Sequence, residues 1–224
     1  MISVDTWRKD AFDYFSEDED ILTPVLNGLV EHAVILENHQ SCSSWTYPSV
    51  ICAMTGTDLL SVGLIPGPSS SPDPVPKEQW ILPRFLNEQG YNTYGVMSSS
   101  YLCSNNIGAS YDEIACLSNL SVEERSATAV REKAVLALDA LEKSDAPWFL
   151  HLHMVDPHTP LKLPMESLGL LEGLPSLDFI DLDLNEAANS TLSSYWSDLT
   201  KPEQEILLQH VSVRYDGLIQ LVDT

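Results

Sequence analysis

Thr46 lies where the sequence predicts the start of a helix. Pro48 fits the first turn of a helix, where the missing N–H of proline costs nothing, and the apolar run 50–54 continues the helix until Gly56 can end it. The unpaired N–H groups and the positive dipole end of a helix start attract anions. The Thr46 hydroxyl would therefore face an anion-binding position suited to a phosphate or sulfate group. This placement predicts that Thr46 is a nucleophile. Alternatively, Thr46 is an ordinary helix-cap residue.

Asp5 is a candidate metal ligand. Threonine at neutral pH is a poor nucleophile and needs a neighbouring base or a metal ion to lose its proton. Residues 2–6 predict the end of a β-branched strand, and ligands collect at the carboxyl ends of strands in open α/β sheets. We therefore expect Asp5 and Thr46 to hold a divalent cation together. The alternative is that Asp5 is an ordinary turn residue.

Three histidines lie on or after a predicted apolar strand at residues 148–155. The turn 156–158 follows this strand directly, so His158 should project at the carboxyl edge, where it could donate to an oxyanion or protonate a leaving oxygen. Alternatively, His158 is a turn residue hydrogen-bonded to its own loop. His151 and His153 alternate along the strand and face one side. His153 therefore either approaches the site or packs as a core or interface histidine.

Strands and helices alternate along the chain, which predicts an α/β fold with a mostly parallel central sheet flanked by helices. A further strand is predicted at residues 91–97. Helices besides the one after Thr46 are predicted at residues 23–33, 80–90, 122–141 and 200–222. The Pro/Ser-rich segment 68–76 predicts a loop, and residues 161–199 predict an irregular peripheral insertion.

The chain is strongly acidic, with 33 acidic against 11 basic residues, a net charge of −22 and a pI near 4.3. Such a chain would repel nucleic acid and anionic membrane surfaces, so we expect no nucleic-acid partner. The acids are scattered apart from a run at residues 17–20, and an apolar fraction of 44% is ordinary for a folded domain. This composition is typical of halophiles, whose proteins are screened by salt; the alternative is an acidic mesophilic protein.

The sequence predicts a protein without a membrane span. No apolar run reaches the 18 residues that a spanning helix needs, and residues 1–5 lack the basic start and apolar stretch of a signal peptide. As written, the chain is predicted to be cytoplasmic, with export as the alternative if a leading segment is missing.

The four cysteines at positions 42, 52, 103 and 116 lack metal-finger spacing. Four scattered cysteines in a chain of 224 residues do not indicate a disulfide scaffold. We therefore predict four reduced and mostly buried thiols.

Four segments resemble, in order, the landmarks of the sulfatase family within the alkaline phosphatase superfamily: residues 2–10, 23–27, 44–56 and 152–160. The resemblance covers most of the chain and weakens at 68–76 and 161–199. It implies an alkaline phosphatase-like α/β sandwich and an esterase or transferase that acts on sulfate or phosphate esters. It also implies a divalent metal, namely calcium, magnesium, manganese or zinc, and it assigns His158 to binding the sulfate or phosphate group.

The chain departs from the family pattern at the nucleophile. Sulfatases proper carry Cys or Ser, which is oxidised to formylglycine, where this chain has Thr46, and Arg where it has Val50. Threonine cannot give that aldehyde, so no formylglycine is expected. Threonine here resembles the phosphotransferring branches, such as phosphoglycerol and phosphoethanolamine transferases and nucleotide phosphodiesterases, whose hydroxyl attacks phosphorus. Sulfate and phosphate esters therefore both stay open as substrates.

The chain also departs from the family in length. Family members resembling it continue further and carry there an Asp-His or Asp-Asn pair that completes the metal site. We therefore predict that residues 1–224 are an N-terminal catalytic domain, incomplete at the C-terminal side and inactive as a fragment.

Together these features predict a metal-dependent hydrolase or transferase of small-molecule, glycan or lipid esters. Thr46 attacks in line, Asp5 and Thr46 bind the metal, and His158 and His153 bind the substrate. The alternative from another class is a truncated, non-catalytic sulfatase-like binding or interaction domain.

Overall fold

The computed structural model describes residues 1–16, 23–58, 60–63, 75–104 and 106–224. The acidic run at 17–20 and most of the predicted loop at 68–76 lie outside these residues. The chain divides into two compact units, each described by itself below. Unit 1 comprises Met1–Ser3 and Leu36–Met154, and unit 2 comprises Val4–Ile35 and Val155–Thr224.

A sheet of four strands lies in unit 1. In chain order the strands are β1 (Ile2–Val4), β2 (Asn92–Met97), β3 (Glu113–Cys116) and β4 (Trp148–Met154), and their spatial order is β1-β4-β2-β3. The neighbours of β2 run parallel to it, and Met97 lies opposite His153 of β4 and Cys116 of β3. The crossover order and the parallel pairing confirm the predicted α/β fold.

The parallel pairing extends to the start of the chain. The Met1 nitrogen donates to the Leu150 carbonyl oxygen at 2.7 Å, and the Met1 carbonyl oxygen accepts from the Leu152 nitrogen at 2.9 Å. Met1 thus bonds to the two residues that flank His151, and this pattern is typical of parallel strands. The carboxyl ends of β1, β2 and β4 therefore lie at the same edge of the sheet.

The described helices are α1 (Pro24–Leu29), α2 (Thr46–Thr55), α3 (Leu82–Glu88), α4 (Ser100–Cys103), α5 (Ala127–Leu141), α6 (Asn189–Trp196) and α7 (Lys201–Asp223). Short 3-10 turns occur at Lys9–Ala11, Val30–His32, Gly108–Ser110, Glu123–Arg125 and Met165–Leu171. In this part of the chain, no helix is both long enough and apolar enough to cross a membrane.

The hydrophobic core of unit 1 contains residues from the start of α2 and from the end of β2. Helix α5 packs on β2 and β4, and α2 packs on α3 and α4. The core side chains are Tyr47, Ile51, Met54, Val62, Val75, Ile81, Met97, Leu102, Ile107 and Tyr111. Burial of these large apolar side chains is the main term that stabilises the unit.

Helix α7 organises unit 2, and its predicted start is confirmed. Thr200 and Glu203 form a capping box there. Leu218 of α7 forms a small core with Leu161 and Leu163, two residues of the segment predicted to be irregular. Helix α6 also lies in that segment, which is therefore more regular than its sequence indicated.

The Thr23 side chain does not cap α1. The Thr23 hydroxyl oxygen instead accepts from the Asp13 nitrogen at 3.1 Å. The buried carboxylate of Asp223, at the end of α7, accepts from the nitrogens of Val25 at 2.7 Å and Leu26 at 2.9 Å. A carboxylate at this position satisfies two of the N–H groups that the helix leaves unpaired, and it also suits the helix dipole.

The predicted reduced thiols are wrong, because unit 1 contains the disulfides Cys42–Cys52 and Cys103–Cys116. Cys103 ends α4, which closely follows β2, and Cys116 ends β3, which pairs with β2. The sheet therefore brings two cysteines together that lie 13 residues apart in sequence. This proximity depends on β3, which the sequence did not predict.

Candidate active site

Thr46 is the first residue of α2 and is half-buried. Trp45 precedes it in extended backbone, and the Trp45 side chain makes no capping hydrogen bond. Gly56 ends the helix in the left-handed conformation at φ 69°, and its nitrogen donates to the Cys52 carbonyl oxygen at 2.8 Å. The helix predicted from Pro48 and Gly56 is therefore confirmed, and the hydroxyl lies in its first turn.

A disulfide and hydrogen bonds of Ser49 tie the segment before α2 to the helix itself. The disulfide joins Cys42 and Cys52. The Ser49 hydroxyl lies 3.0 Å from the Ser43 carbonyl oxygen and 2.9 Å from that of Trp45. The backbone that enters α2 is thereby held in one position.

The start of α2 lies at the carboxyl edge of the sheet. The Tyr101 ring lies 5.6 Å from the Tyr47 ring and 5.9 Å from the Trp45 ring, measured between centroids. Tyr101 belongs to α4, which begins three residues after Met97 ends β2. Ligands collect at this edge in parallel α/β sheets.

His153 lies at the same edge, since it is opposite Met97 in the register. His151 and His153 are both buried, and a ring nitrogen of each lies 2.8 Å from the Ser3 hydroxyl oxygen. The prediction that the two rings face one side of the strand is confirmed. The structure therefore brings Thr46 and His153 to one edge of unit 1.

Asp5 belongs to unit 2 and directly follows β1. The next residue, Thr6, has the left-handed φ of 57°. The Tyr215 hydroxyl of α7 donates to the Thr6 carbonyl oxygen at 3.0 Å and accepts from the Arg8 nitrogen at 2.8 Å. The turn after Asp5 is thus held by Tyr215. Sequence reasoning missed this role, because no local signal relates residue 215 to residue 6.

Arg8 and Asp10 form an ion pair close to this turn. Arg8 Nε donates to Asp10 Oδ1 at 3.0 Å, and this hydrogen bond lowers the pKa of the Asp10 carboxyl. Both side chains are exposed, at 67% and 61%. A surface ion pair of this kind contributes little stability.

His158, also in unit 2, is an exposed turn residue. Its backbone nitrogen donates to the Val155 carbonyl oxygen at 2.8 Å, and its Nδ1 lies 2.8 Å from the Thr159 carbonyl oxygen. Because a carbonyl oxygen only accepts, Nδ1 must carry the proton. The ring is therefore oriented by its own loop, as the alternative interpretation predicted. Nε2 is then the ring nitrogen that would contact a ligand.

The described residues do not by themselves make a metal site. Within the described ranges, no group of three His, Cys, Asp or Glu side chains could hold a metal ion. Asp5 and Thr46 offer one carboxylate and one hydroxyl, whereas Ca²⁺ takes about six to eight oxygen ligands and Mg²⁺ about six. The predicted metal ligands therefore stay predictions that require further donors.

The sulfatase family model matches residues 1–168. No curated protein matches the sequence. Among solved structures, BT4656 in complex with its substrate D-glucosamine-2-N,6-O-disulfate has a TM-score of 0.69 at 14% identity, covering 99% of this chain and 59% of BT4656. The lipoteichoic acid synthase LtaP from Listeria monocytogenes has a TM-score of 0.56 at 17% identity, covering 99% of this chain and 49% of LtaP.

A third similar structure is the C-terminal periplasmic domain of EptC from Escherichia coli in complex with Zn, with a TM-score of 0.58 at 13% identity, covering 99% of this chain and 56% of that one. At these identities the likeness shows the alkaline phosphatase-like fold alone. This chain spans between 49% and 59% of the length of these three structures. The family match covers three quarters of the chain and agrees with the fold. The chain belongs to the sulfatase family.

Proposed function

We propose that the whole protein is a metal-dependent hydrolase or transferase of sulfate or phosphate esters in which Thr46 is the nucleophile. One observation carries the proposal: Thr46 begins α2 at the carboxyl edge of a parallel sheet, and the preceding segment is fixed by a disulfide and by Ser49. An anionic group at this helix start would meet backbone N–H groups and the positive end of the dipole.

In the proposed reaction, the Thr46 oxygen forms a bond to phosphorus or sulfur in line with the leaving oxygen. The ester bond to the leaving oxygen breaks, the leaving oxygen takes the electron pair, and the hydroxyl proton passes to water. Water or an acceptor alcohol then attacks the adduct and returns the threonine hydroxyl. His153 would donate a hydrogen bond to a non-bridging oxygen, and His158 would do so through Nε2 in its imidazolium form, since Nδ1 already donates to the Thr159 carbonyl oxygen.

The proposed metal ligands are Asp5 and Thr46, together with donors still to be identified. A divalent cation would act as a Lewis acid and would lower the pKa of the hydroxyl it binds. Calcium, magnesium, manganese and zinc are all candidates, and the zinc in the EptC structure supports including zinc in the test.

The proposed substrates are esters of glycans, lipids or small molecules. BT4656 acts on a disulfated glucosamine, and LtaP is a lipoteichoic acid synthase. With Thr46 at the nucleophile position, both sulfate and phosphate esters have to be tested.

The proposed compartment is an oxidising one, which favours export over the predicted cytoplasm. Disulfides form and persist outside the reducing cytosol, and unit 1 contains two of them.

The experiment is an assay of the whole protein on nitrophenyl sulfate and nitrophenyl phosphate with each candidate metal. Thr46→Val removes the hydroxyl at nearly constant shape and should lower kcat by at least about 10³-fold, as expected for loss of a nucleophile. Thr46→Ser keeps a hydroxyl and is the matched control, so it should retain measurable turnover. Equal turnover by wild type and Thr46→Val would refute the proposed nucleophile.

A non-catalytic binding domain is the second candidate, favoured by the lack of a three-residue metal cluster in the described ranges. It predicts that the wild-type protein turns over neither ester with any of the metals. It also predicts that sulfate or phosphate binds with the same affinity to wild type and Thr46→Val, which calorimetry would measure.

A further inference from the structure

A continuous chain of hydrogen bonds crosses unit 1 and ends at His153. The Tyr111 hydroxyl lies 2.7 Å from His151 Nδ1, and His151 Nε2 lies 2.8 Å from the Ser3 hydroxyl oxygen. The same Ser3 oxygen lies 2.8 Å from His153 Nδ1. Four residues from β1, β4 and the segment before β3 therefore form one series, here called the Tyr111–His153 relay.

The Tyr111 ring packs over β2 at Gly95, which lies opposite His151 in the register. A Cβ at Gly95 would make only ordinary contact with the Tyr111 ring carbons, at 3.5 Å, but it would lie 2.7 Å from the terminal carbon of Met97. A larger residue at this position would therefore displace the end of the Met97 side chain rather than the Tyr111 ring.

Tyr111 and His151, the first two members of the relay, are neutral. Tyr111, His151 and His153 are 7%, 0% and 3% exposed. Burial raises the pKa of the Tyr111 phenol, and burial is also the main reason that the pKa of His151 falls to about 3. At neutral pH, Tyr111 therefore keeps its proton and His151 carries a single ring proton, on either Nδ1 or Nε2.

The donor inventory gives the relay a direction. If Tyr111 donates to His151 Nδ1, then His151 Nε2 carries the proton and donates to Ser3, and Ser3 donates to His153 Nδ1. The Leu152 carbonyl oxygen, 3.4 Å from the Ser3 hydroxyl, is too distant to compete well for its proton.

The opposite direction is disfavoured. It would require His151 to donate to the Tyr111 oxygen, and the phenol proton would then point at the Met54 sulfur, 4.0 Å away. A thioether is a weak acceptor, and a poorly satisfied buried donor costs about 1–3 kcal/mol.

We propose that Tyr111 and Ser3 are positioning residues that fix the tautomer of His153 through His151, so that His153 Nδ1 accepts and Nε2 carries the proton. This inference rests on the proposed role of His153 in binding the ester group. A fixed Nε2–H at the carboxyl edge is a preorganised donor for a non-bridging oxygen of a tetrahedral group. No covalent step is involved, and the relay only selects which nitrogen donates.

The test is ¹⁵N NMR of the histidine-labelled whole protein, with His153 assigned from the spectrum of His153→Gln. In wild type, Nδ1 of His153 should have the shift of a bare nitrogen and Nε2 that of an N–H nitrogen. Ser3→Ala should give a mixture of tautomers at His153, and Ser3→Thr should restore the single tautomer. Tyr111→Phe should mix the tautomers of His151, while Tyr94→Phe on β2 should leave both histidines unchanged.

An N–H shift at His153 Nδ1 in wild type would overturn the proposed direction, and a single unchanged tautomer in Ser3→Ala would overturn the dependence on Ser3. Where the protein turns over a nitrophenyl ester, Ser3→Ala should lower kcat/KM by about 10- to 100-fold, and Ser3→Thr should recover it. Absence of turnover in wild type with the expected tautomers would refute the proposed function but not the assignment of the relay.

Discussion

At the scale of residues, the buried polar groups of unit 1 are joined by hydrogen bonds. A polar group removed from water is costly unless it is hydrogen-bonded, so a complete series such as the Tyr111–His153 relay constrains every member at once. His151 is its central member, because both of its ring nitrogens are engaged.

His151 should make stability fall in mild acid. Burial, and secondarily the charges of His153 and the Met1 amino group, lower the pKa of His151 from 6.5 to about 3. Below about pH 6.5 the unfolded chain binds a proton that the folded ring does not. The free energy of unfolding should therefore fall toward pH 3 by up to about 1.4 kcal/mol per pH unit.

Urea unfolding at several pH values between about 7 and 5 measures this slope. The matched protein is His151→Gln, which removes this one titrating ring and keeps every other ionisable side chain. Its slope should be shallower by about 1 kcal/mol per pH unit. Parallel slopes for the two proteins would show that His151 is not the group responsible.

At the scale of elements, a remote carboxylate sets the start of α1. Asp223 is 6% exposed, and it accepts from the nitrogens of Val25 and Leu26. Asp223→Ala would leave these donors without their partner and should lower the free energy of unfolding by about 1–2 kcal/mol. Glu205→Ala, which removes an exposed carboxylate from the same helix, should change it by less than about 0.5 kcal/mol. Equal effects of the two substitutions in thermal unfolding would contradict the capping role.

Elements with strong local signals could be predicted from the sequence. Pro48 and Gly56 bracket α2, and the Thr200–Glu203 box opens α7, because these signals act within one helical turn. Helix α5 begins at Ala127 rather than at residue 122, since residues 123–125 form a 3-10 turn first. Strand β3 is short and lies at the edge of the sheet, where period-two alternation gives little signal.

Features that depend on distant parts of the chain could not be predicted. Tyr215 holds the turn after Asp5 from about two hundred residues away, and the Asp223 cap is equally remote. The Cys103–Cys116 disulfide depends on the pairing of β2 with β3. The candidate site residues could be predicted because local patterns indicate where helices and strands end, and each candidate has a reactive side chain beside such an end. They are Thr46, Asp5, His153 and His158. Their roles depend on chemistry that patterns do not test.

At the scale of the whole molecule, the disulfides and the net charge of −22 bear on the proposed compartment. Strong self-repulsion is weakened by salt, so the halophilic origin stays a prediction that fits the charge. The disulfides support the proposed export more directly, since the cytosol keeps most thiols reduced.

Cys42, Cys52, Cys103 and Cys116 should carry no free thiol in the native protein. Alkylation of the unfolded protein without reductant should leave these four residues unmodified, and alkylation after reduction should modify all four. Peptide mapping by mass spectrometry locates the alkyl groups. Alkylation of all four residues without reductant, on protein isolated from its own compartment, would contradict both the disulfides and the proposed export.

The central claim is that the Thr46 oxygen forms the covalent bond to the transferred group. The most direct measurement is peptide mapping by mass spectrometry of the whole protein, acid-quenched during turnover of nitrophenyl phosphate and, in parallel, nitrophenyl sulfate. We predict a phosphoryl or sulfuryl group on Thr46, and its absence from the corresponding peptide of Thr46→Val. Steady turnover with Thr46 unmodified and the group on another residue would contradict the account.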